Sequence, residues 1–124
     1  VEAMDFGTYT ARLESDPPAI WGLGWVADYP GRNDFLGILL GTGRTSNYGR
    51  WSSPAFDDAI ARALEAPDAA AASAAFDEAE AIVARDVPVV PLEYSTSWAL
   101  SRDGLLGAGQ NGLSIIRMAG LAWQ

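Results

Sequence analysis

Aromatic and acidic residues lie close to glycines in one stretch of the sequence, and this combination is typical of a ligand-binding surface. Trp21 and Trp25 lie beside Gly22 and Gly24, and the carboxylate of Asp28 follows three residues later. A tryptophan close to a glycine and a carboxylate can build an apolar slot with one polar anchor. The ordinary alternative is that both tryptophans belong to a core, as most tryptophans do, and the residues taken alone favour it.

Catalytic chemistry is largely excluded by the residue types that are missing. The chain has no His, no Cys and no Lys among its 124 residues. The commonest general base, thiolate nucleophiles and Schiff-base lysines are therefore ruled out. A carboxylate pair such as Asp28 with Glu93 remains conceivable, but nothing in its spacing supports it. We predict no catalytic residue, no metal site and no cofactor. The protein is expected not to be an enzyme, and a carboxylate-based hydrolase is the alternative from another class.

The charge balance excludes further classes of partner. Asp and Glu number 16 against 8 Arg, which gives a formal net charge of −8. Nucleic acids and anionic membrane surfaces need a basic footprint, so we expect neither as a partner. The Gly-x-Gly sites at Gly22 and Gly41 lack the lysine and the full spacing of a phosphate-binding loop.

Helix signals are strongest in the middle of the chain. Ser53 followed by Pro54 predicts the start of one helix, and Pro67-Asp68 predicts the start of a second that runs to about Arg85. Apolar spacing predicts two shorter helices, over Val1–Leu13 and Asn33–Leu40. Either Asn33 or Asp34 is expected to cap the latter. The apolar residues expected to face inward are Phe35, Leu36, Leu39, Leu40, Phe56, Ile60, Ala63, Leu64, Ala72, Phe76, Ala79 and Val83.

Strands are expected towards both ends of the chain. Short apolar runs predict a buried strand over Ile20–Ala27 and an edge strand over Val87–Tyr94, whose prolines suit an edge or a bulge. Trp98–Ser101 and Leu113–Met118 are further candidates. The predicted class is α+β, with residues 1–124 forming a single domain.

Four motifs in series carry a resemblance to a known family. They are Trp25-Val26-Ala27-Asp28-Tyr29-Pro30, followed by Phe35-Leu36 and Leu39-Leu40; Asn47-Tyr48-Gly49-Arg50-Trp51-Ser52-Ser53-Pro54-Ala55-Phe56-Asp57; Phe76-Asp77-Glu78-Ala79-Glu80; and Asp86-Val87-Pro88-Val89-Val90-Pro91-Leu92-Glu93-Tyr94. In this order they resemble the C-terminal part of the family 5 extracellular solute-binding proteins, the oligopeptide- and dipeptide-binding components of ABC importers. The resemblance covers nearly the whole chain.

The resemblance implies a two-lobed, class II periplasmic-binding-protein-like clamshell with the ligand buried between its lobes. This chain would be a fragment of the C-terminal lobe, completed by a missing N-terminal lobe and serving an ABC permease in the membrane. The expected location is extracytoplasmic, in the periplasm or as a cell-surface lipoprotein. The ligand would be a small molecule, with a peptide favoured; an oligosaccharide, stacked on Trp21, Trp25 and Trp51, is the alternative.

The resemblance also implies which residues hold the ligand. By position Asp28 would pair with the α-ammonium group of a peptide, while Trp25, Val26 and Ala27 would pair with its main chain. Trp25 would also wall a side-chain pocket, and Phe6 stands where some members carry another pocket aromatic. One departure is that Pro17 to Ile20 hold no basic residue for the carboxylate of a peptide.

Overall fold

Helices dominate the part of the chain that the structure describes, which in this computed structural model is residues 2–96, 98–113 and 115–124. The two-residue strands β1 (Leu105–Leu106) and β2 (Ala122–Trp123) pair antiparallel, with Leu105 opposite Trp123, and form the only sheet in that part. The class is therefore mixed helix and sheet, as expected. In chain order the elements are α1 (Phe6–Ser15), α2 (Arg32–Phe35), α3 (Gly37–Leu40), α4 (Pro54–Leu64), α5 (Ala69–Asp86), β1 (Leu105–Leu106), a 3-10 turn (Met118–Gly120) and β2 (Ala122–Trp123).

The two long helices begin where their capping residues predict. The Ser53 side chain accepts a hydrogen bond from the Phe56 N–H at the start of α4, and Asp68 accepts one from the Ala71 N–H at the start of α5. Each bond satisfies a main-chain donor that the first helical turn leaves unpaired. Helix α5 ends at Asp86, where Val87 adopts a left-handed φ of 50° and a proline follows.

Packing of α4 against α5 makes the core, and α3 lies on this pair. Phe56, Ala59 and Ala79 are fully buried between the helices. A side chain at Gly37 would meet Cγ2 of Ile60 at 2.9 Å, so a glycine allows α3 to approach α4 closely. The buried members of this core are Leu36, Leu40, Phe56, Ala59, Ile60, Ala79 and Ile82, with Leu39, Trp51, Phe76 and Val83 partly buried against them.

The predicted helix over Asn33–Leu40 is present but divided. It forms α2 and α3 with Leu36 between them, and its N-cap is Gly31, without a side-chain cap bond. The prediction that Asn33 or Asp34 caps it is therefore wrong. Two side chains expected inward are instead exposed: Phe35 by 47% and Leu64 by 59%. Both lie on faces that no described element covers.

The predicted strands at Ile20–Ala27, Val87–Tyr94 and Trp98–Ser101 are wrong for the described residues, which form no strand there. A strand requires a hydrogen-bonded neighbour, and none of these segments has one within the described residues. Leu113–Met118 includes Ser114, which lies outside the described residues; its described residues are not in a strand. The helix predicted over Val1–Leu13 starts at Phe6 instead, and Val1 also lies outside the described residues.

No helix within the described ranges is long and apolar enough to cross a membrane.

A matched pair of leucines tests this core. Leu40 and Leu64 each end a helix, but Leu40 is 6% exposed and Leu64 is 59% exposed. Leu40→Ala should lower the free energy of unfolding by roughly 2–5 kcal/mol, because it leaves a cavity. Leu64→Ala should change it by about 0.5 kcal/mol or less. Urea denaturation of both variants measures the difference, and equal losses would contradict the described core.

Candidate ligand-binding site

The segment Trp21–Asp28 runs without a turn or a bend until Asp28. Exposure alternates along its last four residues: Trp25 and Ala27 are partly buried, while Val26 (71% exposed) and Asp28 are open to solvent. Side chains alternate in this way along an extended chain that has one face against the protein. The segment therefore presents the side chains of Val26 and Asp28 outward.

The main chain of this segment is available for pairing. Within the described residues, no hydrogen bond involves the main-chain N–H or C=O groups of Leu23–Ala27. The Asp28 carboxylate likewise makes no hydrogen bond or ion pair with another described residue. An extended segment with unpaired main-chain groups can accept a further strand.

Helix α1 holds the beginning of the segment. The Tyr9 hydroxyl donates to the Gly22 carbonyl at 2.7 Å and accepts from the Gly22 N–H at 3.2 Å. The Arg50 guanidinium in turn donates to the carbonyls of Glu14 and Ser15, at the C-terminal end of α1. The helix is thus tied both to the segment and to the loop before α4.

Phe6 lies at the start of α1, one helical turn before Tyr9 and on the same face of the helix. It is 71% exposed. The N-cap of the helix is Asp5, whose side chain accepts hydrogen bonds from the hydroxyl and N–H groups of Thr8. These bonds lower the pKa of the Asp5 carboxyl. Phe6 is therefore placed on a capped helix that contacts the segment through Tyr9.

The end of the segment is held by a buried carboxylate that the sequence pattern did not indicate. Asp34 is fully buried, and its Oδ2 accepts a hydrogen bond from Trp25 Nε1–H at 2.7 Å and one from the Asp28 N–H at 3.3 Å. Its other oxygen, Oδ1, is buried without a partner in the described residues. The only signal for this role in the sequence is a carboxylate directly before the apolar pair Phe35-Leu36, and that signal fits a helix cap equally well.

Helix α2, which carries Asp34, is fastened to α5 by Arg32. The Arg32 guanidinium donates to the carboxylates of Asp77 and Glu80 and lies 5.4 Å from the ring centre of Phe76. The hydrogen bonds with Asp77 and with Glu80 raise the pKa of Arg32. These groups remain partly exposed to water, so their main effect is to fix geometry, and each ion pair adds little stability.

The three tryptophans suggested as stacking platforms have different environments. Trp51 packs edge-on against Phe56, with ring centres 5.0 Å apart, and is partly buried against the core. Trp21 packs edge-on against Tyr48 at 5.9 Å. Trp51 is therefore not free to stack on a ligand, and its loop is fixed by the buried Asn47 amide, which donates to the Trp51 carbonyl at 2.7 Å.

Surface cavities occur away from the segment. One of about 400 Å³ lies between α3 and α4, beside Arg44 and Asp57, and another of about 410 Å³ lies in the β1–β2 region beside Leu105 and Trp123. None of the predicted site residues lines either cavity. No cluster of three or more acidic side chains that could hold a metal ion occurs in the described ranges.

The chain is similar in sequence to periplasmic binding proteins of bacteria. It is 33% identical over 75 residues to the probable ABC transporter periplasmic-binding protein SapA of Escherichia coli (strain K12). It is 35% identical over 71 residues to the periplasmic oligopeptide-binding protein OppA, and 31% identical over 83 residues to the periplasmic murein peptide-binding protein MppA, both of the same organism.

These matches cover 58%, 57% and 67% of this chain but only 14%, 13% and 15% of the respective relatives. No family model matches the chain. No solved structure matches it either. The resemblance to the family 5 solute-binding proteins and the expected extracytoplasmic location are confirmed by these relatives, all three of which are named as periplasmic binding proteins and none as an enzyme.

The attachment of α1 to the segment can be tested at a single hydroxyl. Tyr9→Phe removes both hydrogen bonds to Gly22 and should lower the free energy of unfolding by about 0.5–1.5 kcal/mol. Amide hydrogen exchange at Gly22 should accelerate, because its N–H loses its acceptor. Tyr94→Phe, at a residue that is 99% exposed, is the control and should change neither quantity. Unchanged exchange at Gly22 in Tyr9→Phe would contradict the tether.

Proposed function

We propose that the chain is part of the C-terminal lobe of a two-lobed solute-binding protein, and that it binds a peptide for delivery to an ABC permease. The observation that carries the proposal is the exposed Asp28 carboxylate at the end of a segment whose main chain, at Leu23–Ala27, is unpaired within the described residues. The Asp28 carboxylate would meet the α-ammonium group of the peptide. The main-chain groups beside it would pair with the peptide backbone.

The surface of the chain supports a role as one part of a larger protein. It exposes 9244 Å². A compact monomer of 13.1 kDa would expose only about 6,400 Å². Apolar side chains contribute to the excess, including Ile20 at 90% and Leu92 at 86% exposure. Such a surface suits a lobe that packs against further protein, and half a clamshell cannot by itself bury most of a ligand.

An oligosaccharide is less well supported as the ligand. Trp51 packs on the core, and the indole N–H of Trp25 already donates to Asp34. Trp21 is itself packed edge-on against Tyr48, so of the three tryptophans the ring face of Trp25 is the remaining platform. Sugar rings are held by stacking on exposed aromatic faces, and these residues do not offer a set of them.

Hydrolysis is also poorly supported. The carboxylate of Asp34 lies beside Asp28 and accepts a hydrogen bond from the Asp28 N–H. It is fully buried and does not face solvent where a water could be activated. A pair of carboxylates that flank a substrate would both need access to it.

The proposal is tested by changing one charge in the protein and one in the ligand. In the complete protein, Asp28→Asn should weaken binding of trialanine by about 2 kcal/mol or more, roughly 30-fold, because the ammonium group loses its charged partner. N-acetyl-trialanine has no ammonium group, so its already weak affinity should not change. Isothermal titration calorimetry measures both peptides with both proteins.

Asp103→Asn serves as the matched control, since it removes the same charge at an exposed turn outside the site. It should leave both affinities unchanged. The assignment of Asp28 is overturned if the Asp28→Asn protein still prefers the free amine as strongly as the unmodified protein does. Absence of binding of either peptide by the unmodified protein would overturn the peptide-binding function itself.

A further inference from the structure

We infer that Asp34 is the positioning residue of the ligand-binding segment. Its buried carboxylate fixes the Trp25 ring and the Asp28 main chain, so that the Asp28 side chain and the unpaired main chain face the ligand. The inference rests on the proposed function and names a residue that the motif pattern does not place in the site.

The first step concerns the free-energy cost of burying the Asp34 carboxylate. Asp34 is fully buried, and its Oδ1 has no partner within the described residues. A buried carboxylate without hydrogen-bond donors is strongly unfavourable. The donors that the described residues supply are the Trp25 indole and the Asp28 main chain, both on Oδ2. Losing either donor would leave fewer hydrogen bonds to offset the cost of removing the carboxylate from water. The carboxylate therefore holds both groups in place.

The second step is the effect on Trp25. Its Nε1–H donates to Asp34 at 2.7 Å, a short bond of the kind that a charged acceptor makes. The bond sets the orientation of the ring and uses its only donor. Trp25 can therefore offer a ligand an apolar surface in a fixed position, but it offers no hydrogen bond.

The third step is the effect on Asp28. Its main-chain N–H points to Asp34 at 3.3 Å, while its side chain is exposed. The same bond that anchors the end of the segment thus directs the free carboxylate outward. Since no turn or bend interrupts Trp21–Ala27, the anchor at Asp28 and the Tyr9 bonds at Gly22 hold the unpaired stretch from both ends.

The fourth step is the rigidity of the support. Asp34 lies on a four-residue helix that would be unstable alone. Arg32, two residues earlier, fastens that helix to Asp77 and Glu80 of α5, and Leu36, two residues later, is buried in the core. A binding group held by such a support need not be ordered when the ligand arrives, and this raises affinity.

The test separates positioning from direct contact. In the complete protein, Asp34→Asn keeps the side-chain shape but replaces the carboxylate by a weaker, neutral acceptor. It should weaken the binding of trialanine and of N-acetyl-trialanine by the same factor, about tenfold, because it disturbs the segment that both peptides use. Asp28→Asn, in contrast, should affect the free amine alone.

A spectroscopic readout accompanies the titrations. The indole ¹⁵N–¹H resonance of Trp25, identified by its loss in Trp25→Phe, should move upfield in ligand-free Asp34→Asn as the hydrogen bond weakens. The other indole resonances should stay in place. Ser53→Ala is the control for a merely structural effect: it removes the N-cap of α4 and should lower the melting temperature without moving the Trp25 resonance or either affinity.

The possible failures are distinguishable. If the unmodified protein binds neither peptide, the proposed function is overturned. If it prefers the free amine through Asp28 but Asp34→Asn binds both peptides as tightly as before, the function stands and the positioning role is overturned. The positioning role is also overturned if Asp34→Asn weakens the binding of trialanine but not that of N-acetyl-trialanine, since Asp34 would then act on the ammonium group and not on the segment.

Discussion

The packing of α4 against α5 is the interaction on which the other described parts depend. Phe56 fills the space between the helices, and the small side chains of Ala59 and Ala79 let their backbones approach closely. Helix α3 adds Leu40 to the same core, and Leu36, which lies just before α3, adds a second leucine. Among the remaining described elements, Leu13 of α1 is the one buried apolar side chain, so these elements depend on further contacts for their position relative to this pair.

That positioning is done mainly by single polar contacts. Arg32 joins α2 to α5, Asp34 joins α2 to the segment Trp21–Asp28, and Tyr9 joins the segment to α1. Each contact fixes an orientation that apolar packing alone would leave loose. The arrangement also leaves the main chain of Leu23–Ala27 unpaired, which is normally a liability for a protein because it invites association. In a binding protein the same feature provides the edge that a peptide backbone can pair with.

Local signals in the sequence were enough to predict the long helices. Ser53 with Pro54, and Pro67 with Asp68, act within one helical turn, so their effect does not depend on the rest of the fold. Local signals were not enough for strands: the apolar run Val87–Tyr94 has the composition of a strand, but a strand also requires a hydrogen-bonded neighbour, which no local pattern specifies. Asp34 was missed for a related reason. Its partner Trp25 lies nine residues away across a turn, and a carboxylate near a helix start fits a cap just as well.

Two of the incorrect strand predictions have one feature in common: both segments are apolar in composition but exposed in the structure. Ile20–Ala27 and Val87–Tyr94 have the apolar composition of buried strands, yet Ile20, Val90 and Leu92 are largely exposed. The chain exposes about 2,800 Å² more than a compact protein of its mass, whereas a stable interface needs only about 800 Å² from each partner. In the proposed two-lobed protein, further chain would cover part of this surface, and the opposite lobe would close over Asp28. Closure would remove water from the carboxylate at the moment an ammonium group is beside it, so the attraction between the two charges would grow as the effective dielectric constant falls.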